Sequence, residues 1–127
     1  MYGYKKKVQL GYAEAVSKVK DELKKEGFGV LSEIDVKDTL RKKLNVDFDN
    51  YVILGACNPS FAYKALQAGK EVGLMMPCNV VVYSDKGQTY VAATLPTVLL
   101  GLVGNEKLKG MAEEIESKLK KAVDAVA

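Results

Sequence analysis

The sequence contains no histidine and no tryptophan, and among its 127 residues are only three prolines and two cysteines. Without histidine, the chain cannot build a Ser-His-Asp triad, a histidine general base or a histidine-ligated metal site. Two cysteines alone are too few for a four-ligand zinc site. No apolar run approaches the roughly 18 residues of a membrane span, and no signal-peptide core follows the basic start. We therefore expect a cytoplasmic protein with no membrane contact, no metal site and no cofactor that the sequence identifies.

Length and composition are those of an ordinary globular protein. The length fits a single domain over residues 1–127, which is enough chain to bury a core without disulfides. Hydrophobic residues make up 48% and charged residues 28%, and the net charge is only +3. Most lysines alternate with helical core positions beside Asp or Glu, as on a solvated helix face. Because nucleic-acid surfaces gather positive charge on one face, the sequence argues against nucleic acid as a partner.

Hydrophobic periodicity predicts the element order β-α-β-α-β-α-β-β-α. The near-continuous apolar run YVILGAC suits a central strand with both faces covered, whereas the alternating strand at 28–36 is predicted to be half-buried. The segments CNVVVYS and QTYVAATL flank a DKG turn and give the strongest hairpin signal. This order predicts an α+β fold of two layers, in which helices cover a mainly antiparallel sheet from one side.

The helix predictions depend on periodicity together with signals at the helix ends. Residues Ala13–Glu26 carry apolar side chains at helical spacing. Asp35 and Asn58 suit the N-cap positions of the second and third helices, and Pro59 suits the first turn of the third. Asn105 precedes a long last helix with one apolar stripe, which is the natural cover for the sheet.

Both cysteines stand before an asparagine, in the segments ACNP and MPCN. Cys57 ends an apolar strand one residue before a helix cap, where the helix dipole favours a thiolate. If the strand ending at Cys57 and the strand beginning at Cys78 are antiparallel neighbours, the two segments share one end of the sheet. A right-handed parallel crossover would place them at opposite ends. The hairpin that follows favours the antiparallel arrangement and one shared site.

The shared site has two candidate nucleophiles surrounded by candidate ligand-binding side chains. The candidate catalytic residues are Cys57 and Cys78, and the candidate ligand-binding residues are Asn58, Pro59, Glu71, Pro77 and Asn79. The alternative is that both cysteines pack as small hydrophobic residues and that the NP dipeptide only starts a helix. Glu71 is then a surface carboxylate and not a base beside a thiol.

The segments LGACNPSFAYKAL and GLMMPCNVVVY resemble the signature of the domain-of-unknown-function 302 family of small bacterial and archaeal proteins. The resemblance extends over nearly the whole chain, and methionines stand at 75 and 76 where leucine is usual. It implies a two-layer α+β domain with a TATA-binding-protein-like β-α-β-β-β-β-α core and extra short helices, and it is compatible with dimers. It supplies no function, because none is assigned to the family, and the TATA-binding-protein-like fold is no evidence of DNA binding.

Two functional hypotheses remain open from the sequence. The first is a small-ligand or thiol-chemistry domain, with the paired Cys-Asn segments as its site. The second is a non-catalytic homodimeric interaction module with structural cysteines. The segment TVLLGLVG is almost entirely apolar, and a small domain is not expected to cover it alone. It is the predicted dimer surface, because exposed apolar patches mark partner sites.

Overall fold

One antiparallel sheet of five strands organises the structure. The computed structural model describes residues 2–126. The strands are β1 (Gly3–Val8), β2 (Gly29–Asp35), β3 (Tyr51–Cys57), β4 (Cys78–Asp85) and β5 (Gln88–Thr94). Their order across the sheet is β1-β5-β4-β3-β2, and each neighbouring pair is antiparallel. The mainly antiparallel sheet predicted from the sequence is confirmed.

Helices connect the strands and follow the last one. They are α1 (Tyr12–Lys25), α2 (Val36–Leu44), α3 (Pro59–Ala68), a 3₁₀ helix (Lys70–Met75), α4 (Pro96–Gly101) and α5 (Glu106–Val126). Leaving out the shorter helices α2, α3 and α4 and the 3₁₀ helix reduces the order to β-α-β-β-β-β-α, the core that the resemblance implies. None of the helices within residues 2–126 combines the length and the apolar character needed to cross a membrane.

The core lies between one face of the sheet and the helices α1 and α5, which also pack against each other. The strands β3, β4 and β5 each send alternate side chains into it. These strand residues are Val52, Leu54, Ala56, Val80, Val82, Val91 and Ala93. The apolar stripe predicted for α5 is buried against them, apart from the half-buried Met111. The two-layer α+β arrangement is therefore confirmed.

Local signals fix the helix starts as the sequence predicted. Asp35 and Asn58 each accept a hydrogen bond from the amide three residues further on, at 2.9 and 3.1 Å. Asn105 accepts one from the amide two residues further on, at 2.8 Å. These side chains satisfy amides that the first helical turn leaves without partners. In the β4–β5 hairpin, Lys86 and Gly87 both have positive φ, which is the backbone of a type I′ turn.

Two strand predictions were wrong in their burial. β2 is an edge strand, and a register shift between Val30 and Ser32 interrupts its alternation. Ile34, which was predicted on the buried face of this strand, is therefore 49% exposed and does not face the core. β3 lies one position from the edge and buries only one face. Tyr51 and Ile53 on its other face stay partly exposed, because α1 and α5 both lie on the core side of the sheet.

Candidate functional site

The ends of β3 and β4 bring the two Cys-Asn segments together. Ala56 pairs with Cys78 and Gly55 pairs with Asn79, so β3 and β4 are antiparallel neighbours. Cys57 and Asn58 follow directly at the same end of the sheet. We call this region the β3–β4 corner, and it comprises residues 55–59 and 77–79. The antiparallel arrangement expected from the hairpin is correct.

Cys78 faces the protein core at this corner. Paired residues of antiparallel strands share a face, and its partner Ala56 is fully buried. Phe61, Met75 and Leu100 line a void beside it of only about 10 Å³, roughly the space that one water needs. Burial raises the pKa of the Cys78 thiol to about 11, with a smaller contribution from the nearby Cys57. Cys78 is therefore a neutral thiol at physiological pH.

Cys57 differs from Cys78 in its surroundings. Strand alternation turns it away from the buried Ala56, and across the sheet it pairs with Gly29 of β2. Its side chain is partly exposed, and both thiols are free. Cys57 immediately precedes Asn58, whose side-chain oxygen already caps α3 through the Phe61 amide. Cys78 is also partly exposed, but of the two cysteines it is the one that packs against the core.

Close packing around Gly55 explains why a glycine stands at this position of the β3–β4 corner. Gly55 is buried, and a Cβ atom at this position would collide with the Ser32 side chain and lie 2.8 Å from Cγ of Pro77. Ser32 from β2 and Pro77 from the start of β4 thus close over the Gly55 backbone. Asn79, opposite Gly55, is exposed. Gly55 and Pro77 therefore join three consecutive strands by packing.

The remaining candidate residues are Pro59 and Glu71. Pro59 occupies the first turn of α3 and is exposed. Glu71 is exposed on the 3₁₀ helix. Within residues 2–126, no three His, Cys, Asp or Glu side chains come together in a group that could hold a metal ion.

A row of stacked tyrosines crosses the sheet on the face opposite the core. Tyr51, Tyr83 and Tyr90 stand side by side on β3, β4 and β5, and we call them the tyrosine row. The ring centroids of Tyr51 and Tyr83 are 5.4 Å apart, and those of Tyr83 and Tyr90 are 5.3 Å apart. Phe48 continues the row beyond Tyr51, at 6.2 Å. At the other end, Nζ of Lys5 lies 5.2 Å from the Tyr90 ring centroid.

The tyrosine row belongs to a larger surface of partly exposed side chains, which we call the open face. Its members lie on the strand parity that points away from α1 and α5. They are Lys5, Lys7, Ile34, Tyr51, Ile53, Asn79, Val81, Tyr83, Tyr90, Ala92 and Thr94. The sequence reasoning missed this surface. The sequence shows that each of three predicted strands contains a tyrosine. Only the register between the strands brings the three rings into one row.

The apolar segment predicted as a dimer surface is mostly exposed, with Val98, Leu102 and Val103 at the surface. Leu100 is the one residue of this segment that is buried in the core, so its side chain is not available for dimer contacts. Glu116 of α5 accepts hydrogen bonds from the backbone amide and hydroxyl of Thr97, at 3.1 and 2.6 Å, and holds α4 in place. Val98 and Leu102 remain exposed.

A partly open cavity of about 220 Å³ lies between α4 and the start of α5. Leu100 and Ala112 provide its apolar wall, and Lys109 and Glu113 lie at its polar side. Ligand sites for drug-sized molecules are about 300 Å³ or more, so this cavity admits only a smaller molecule.

The packing at Gly55 generates a stability prediction. We expect Gly55→Ala to lower the free energy of unfolding by about 1–3 kcal/mol, because the added methyl group overpacks the contact between Ser32 and Pro77. Gly29→Ala is the matched control on the neighbouring strand, since nothing lies within 4 Å of a Cβ there. Urea unfolding of both variants measures the difference, and equal stability of the two would contradict the close packing.

The chain is similar to a known protein family and to a solved structure. The family described as "Domain of unknown function DUF302" matches residues 4–126. The crystal structure of an uncharacterized conserved protein DUF302 from Bacillus stearothermophilus is similar over 100% of this chain and 99% of that chain, with a TM-score of 0.94 and 36% sequence identity. No curated protein matches the chain. The corner sequence, the fold and these matches agree: this chain belongs to the DUF302 family.

Proposed function

We propose that this protein is a non-catalytic interaction domain that works as a homodimer assembled through its open face. The observation that carries the proposal is the tyrosine row, which spans three strands on a partly exposed face of the sheet. Tyrosine is enriched at the centres of protein interfaces, because its ring buries a large area and its hydroxyl tolerates water. Packing of two sheets face to face is a common way to cover such a surface.

The character of the open face supports a protein partner more than nucleic acid. The rings of Tyr51, Tyr83 and Tyr90 stack on one another, with interplanar angles of 15° and 21°. Their flat faces are thus occupied by neighbouring rings, whereas single-stranded nucleic acid needs ring faces on which its bases can stack. Val81 and Ile53 add aliphatic surface beside the row. Such a mixture is typical of an interface core.

The cysteines fit a structural role in this proposal. Cys78 packs among core residues, and its raised pKa keeps it neutral. Gly55 and Pro77 are required by close packing, and Asn58 is required by the helix cap. The corner sequence is thereby explained through the fold. Two free thiols are also compatible with a cytoplasmic, reducing location.

A second candidate function is small-ligand binding or thiol chemistry at Cys57. The observation that favours it is the partly exposed Cys57 side chain next to the first turn of α3, where amide groups and the helix dipole attract anions. This candidate needs a thiol that reacts faster than an ordinary cysteine. Asn79, exposed on the adjacent strand end, would then contact the ligand.

The homodimer proposal predicts that Val81→Asp dissociates the protein. The half-exposed Val81 lies beside the tyrosine row, so a carboxylate there would be desolvated in the interface, and we expect the dimer Kd to rise at least about 100-fold. Leu102→Asp, at an exposed position in the turn after α4, is the matched control and should leave the Kd unchanged. Sedimentation velocity with circular dichroism separates dissociation from unfolding. A wild-type protein that stays monomeric at 100 μM would contradict the proposal.

The two cysteine roles predict different alkylation rates. At pH 8, Cys78 in the folded protein should react with iodoacetamide about 100-fold more slowly than in urea. The reason is that its pKa rises from 9.0 to about 11, which lowers the thiolate fraction at this pH by nearly that factor. Its rate should increase as the pH rises towards 11. Peptide mass spectrometry reads the two cysteines separately.

The same experiment decides the second candidate. Labelling of Cys57 at neutral pH well above the rate of an unstructured cysteine peptide would establish a reactive thiol. If both cysteines react only on unfolding, they are packing residues and thiol chemistry is ruled out.

A further inference from the structure

We infer that the two copies pair across their open faces about a two-fold axis parallel to the strands, so that Lys5 and Lys7 of one copy lie against Asp47 and Asp49 of the other. This inference rests on the proposed homodimer and adds its orientation. It comes from the opposite charges at the two ends of the tyrosine row.

One end of the row is positive. Lys5 and Lys7 occupy alternate positions of the edge strand β1, on the same face as the tyrosines, and both are exposed. Nζ of Lys5 lies over the Tyr90 ring, 5.2 Å from its centroid. The intervening Lys6 points to the opposite face, where its ammonium pairs with Asp124 of α5 at 3.2 Å. Two cations therefore remain at this end of the open face.

The other end of the row carries two carboxylates and one ammonium group, that of Lys37. Phe48 extends the row beyond Tyr51, and Asp47 and Asp49 flank it in an exposed loop. The side chain of Asp47 is 83% exposed and pairs at 3.5 Å with Nζ of Lys37, which also donates a hydrogen bond to the Phe48 carbonyl at 2.8 Å. Both carboxylates thus remain accessible to a partner. The lysine end of the row thus has two positive charges, and the aspartate end has two negative charges beside the one positive charge of Lys37.

The positions of these charges decide how one copy is oriented relative to the other. Two sheets can face each other through a two-fold axis parallel to the strands or perpendicular to them. The parallel axis reverses the strand order, so β1 of one copy lies over β2 and the Asp47–Asp49 loop of the other. The perpendicular axis lays β1 over β1 and brings lysine against lysine. Because like charges at an interface are unfavourable, the charges select the parallel axis.

The size of the face suits a second copy. Five strands at a spacing of about 4.8 Å, with about six residues of about 3.4 Å each, give a footprint of about 500 Å² per copy. The two copies together bury about 1,000 Å², which reaches the lower limit of specific interfaces. The middle strand β4 then lies near the axis, so Tyr83 and Val81 meet their own counterparts. The two lysine–aspartate contacts lie symmetrically at the rim.

A charge swap tests this orientation. Lys5→Glu/Lys7→Glu and Asp47→Lys/Asp49→Lys each place like charges at both rims, so each variant alone should raise the dimer Kd at least about 10-fold. In a mixture of the two variants, both rims become attractive, and we expect a heterodimer with a Kd within about 3-fold of the wild-type value. Lys107→Glu/Lys109→Glu, on the exposed side of α5, is the charge-matched control and should dimerise normally. Native mass spectrometry of differently labelled chains counts the heterodimer.

Salt dependence provides an independent measurement on the unmodified protein. The two-fold dimer should weaken as NaCl rises from 50 to 500 mM, because salt screens the attraction between the lysines and the aspartates at its edges. A wild-type dimer that tightens with salt, or a variant mixture that forms no heterodimer, would overturn the orientation and leave the homodimer proposal intact. A wild-type protein that does not dimerise at any salt concentration would overturn both.

Discussion

Burial of one face of the sheet under α1 and α5 is the interaction on which the rest of the structure depends. Alternate residues of β3, β4 and β5 supply fully buried valine, leucine and alanine side chains, and the apolar stripes of the two helices pack against them. Burial of apolar area on this scale is the main favourable term in folding. Because these helices cover one face only, the opposite face is left partly exposed. The tyrosine row, which carries the functional proposal, is a direct consequence of this one-sided cover.

The β3–β4 corner depends on the same sheet but serves a different purpose. Ser32 and Pro77 approach so closely over Gly55 that a side chain there has no space. Asn58 then starts α3 by capping its first turn. The corner thus fixes the register between neighbouring strands and the direction in which the chain leaves the sheet. Register matters for the open face, since a slip of one residue would turn the tyrosines into the core.

Much of the fold could be predicted from the sequence because its signals are local. The N-caps at Asp35, Asn58 and Asn105 and the DKG turn each depend on a few neighbouring residues, and all four were correct. The burial of β2 and β3 could not be predicted in this way, because it depends on which side the helices pack.

The candidate site was predicted only in part, because it depends on which distant segments of the chain pair with each other. The meeting of the two Cys-Asn segments followed from the hairpin. The different surroundings of Cys57 and Cys78 required the pairing of Ala56 with Cys78. The tyrosine row likewise required the register of three strands, since Tyr51 is 32 positions from Tyr83 in the chain. The burial of Leu100 within the otherwise exposed segment TVLLGLVG also depends on the packing of α4 against α5, and the partner surface predicted there stays a prediction.

The most direct test of the account is an isotope-filtered NMR experiment on a mixture of labelled and unlabelled chains, which detects only contacts between copies. The account predicts contacts from the Tyr83 ring of one copy to Tyr83 and Val81 of the other, near the two-fold axis. The absence of such contacts at millimolar concentration, or contacts confined to Leu102 and its neighbours, would contradict the claim that the open face is where two copies meet.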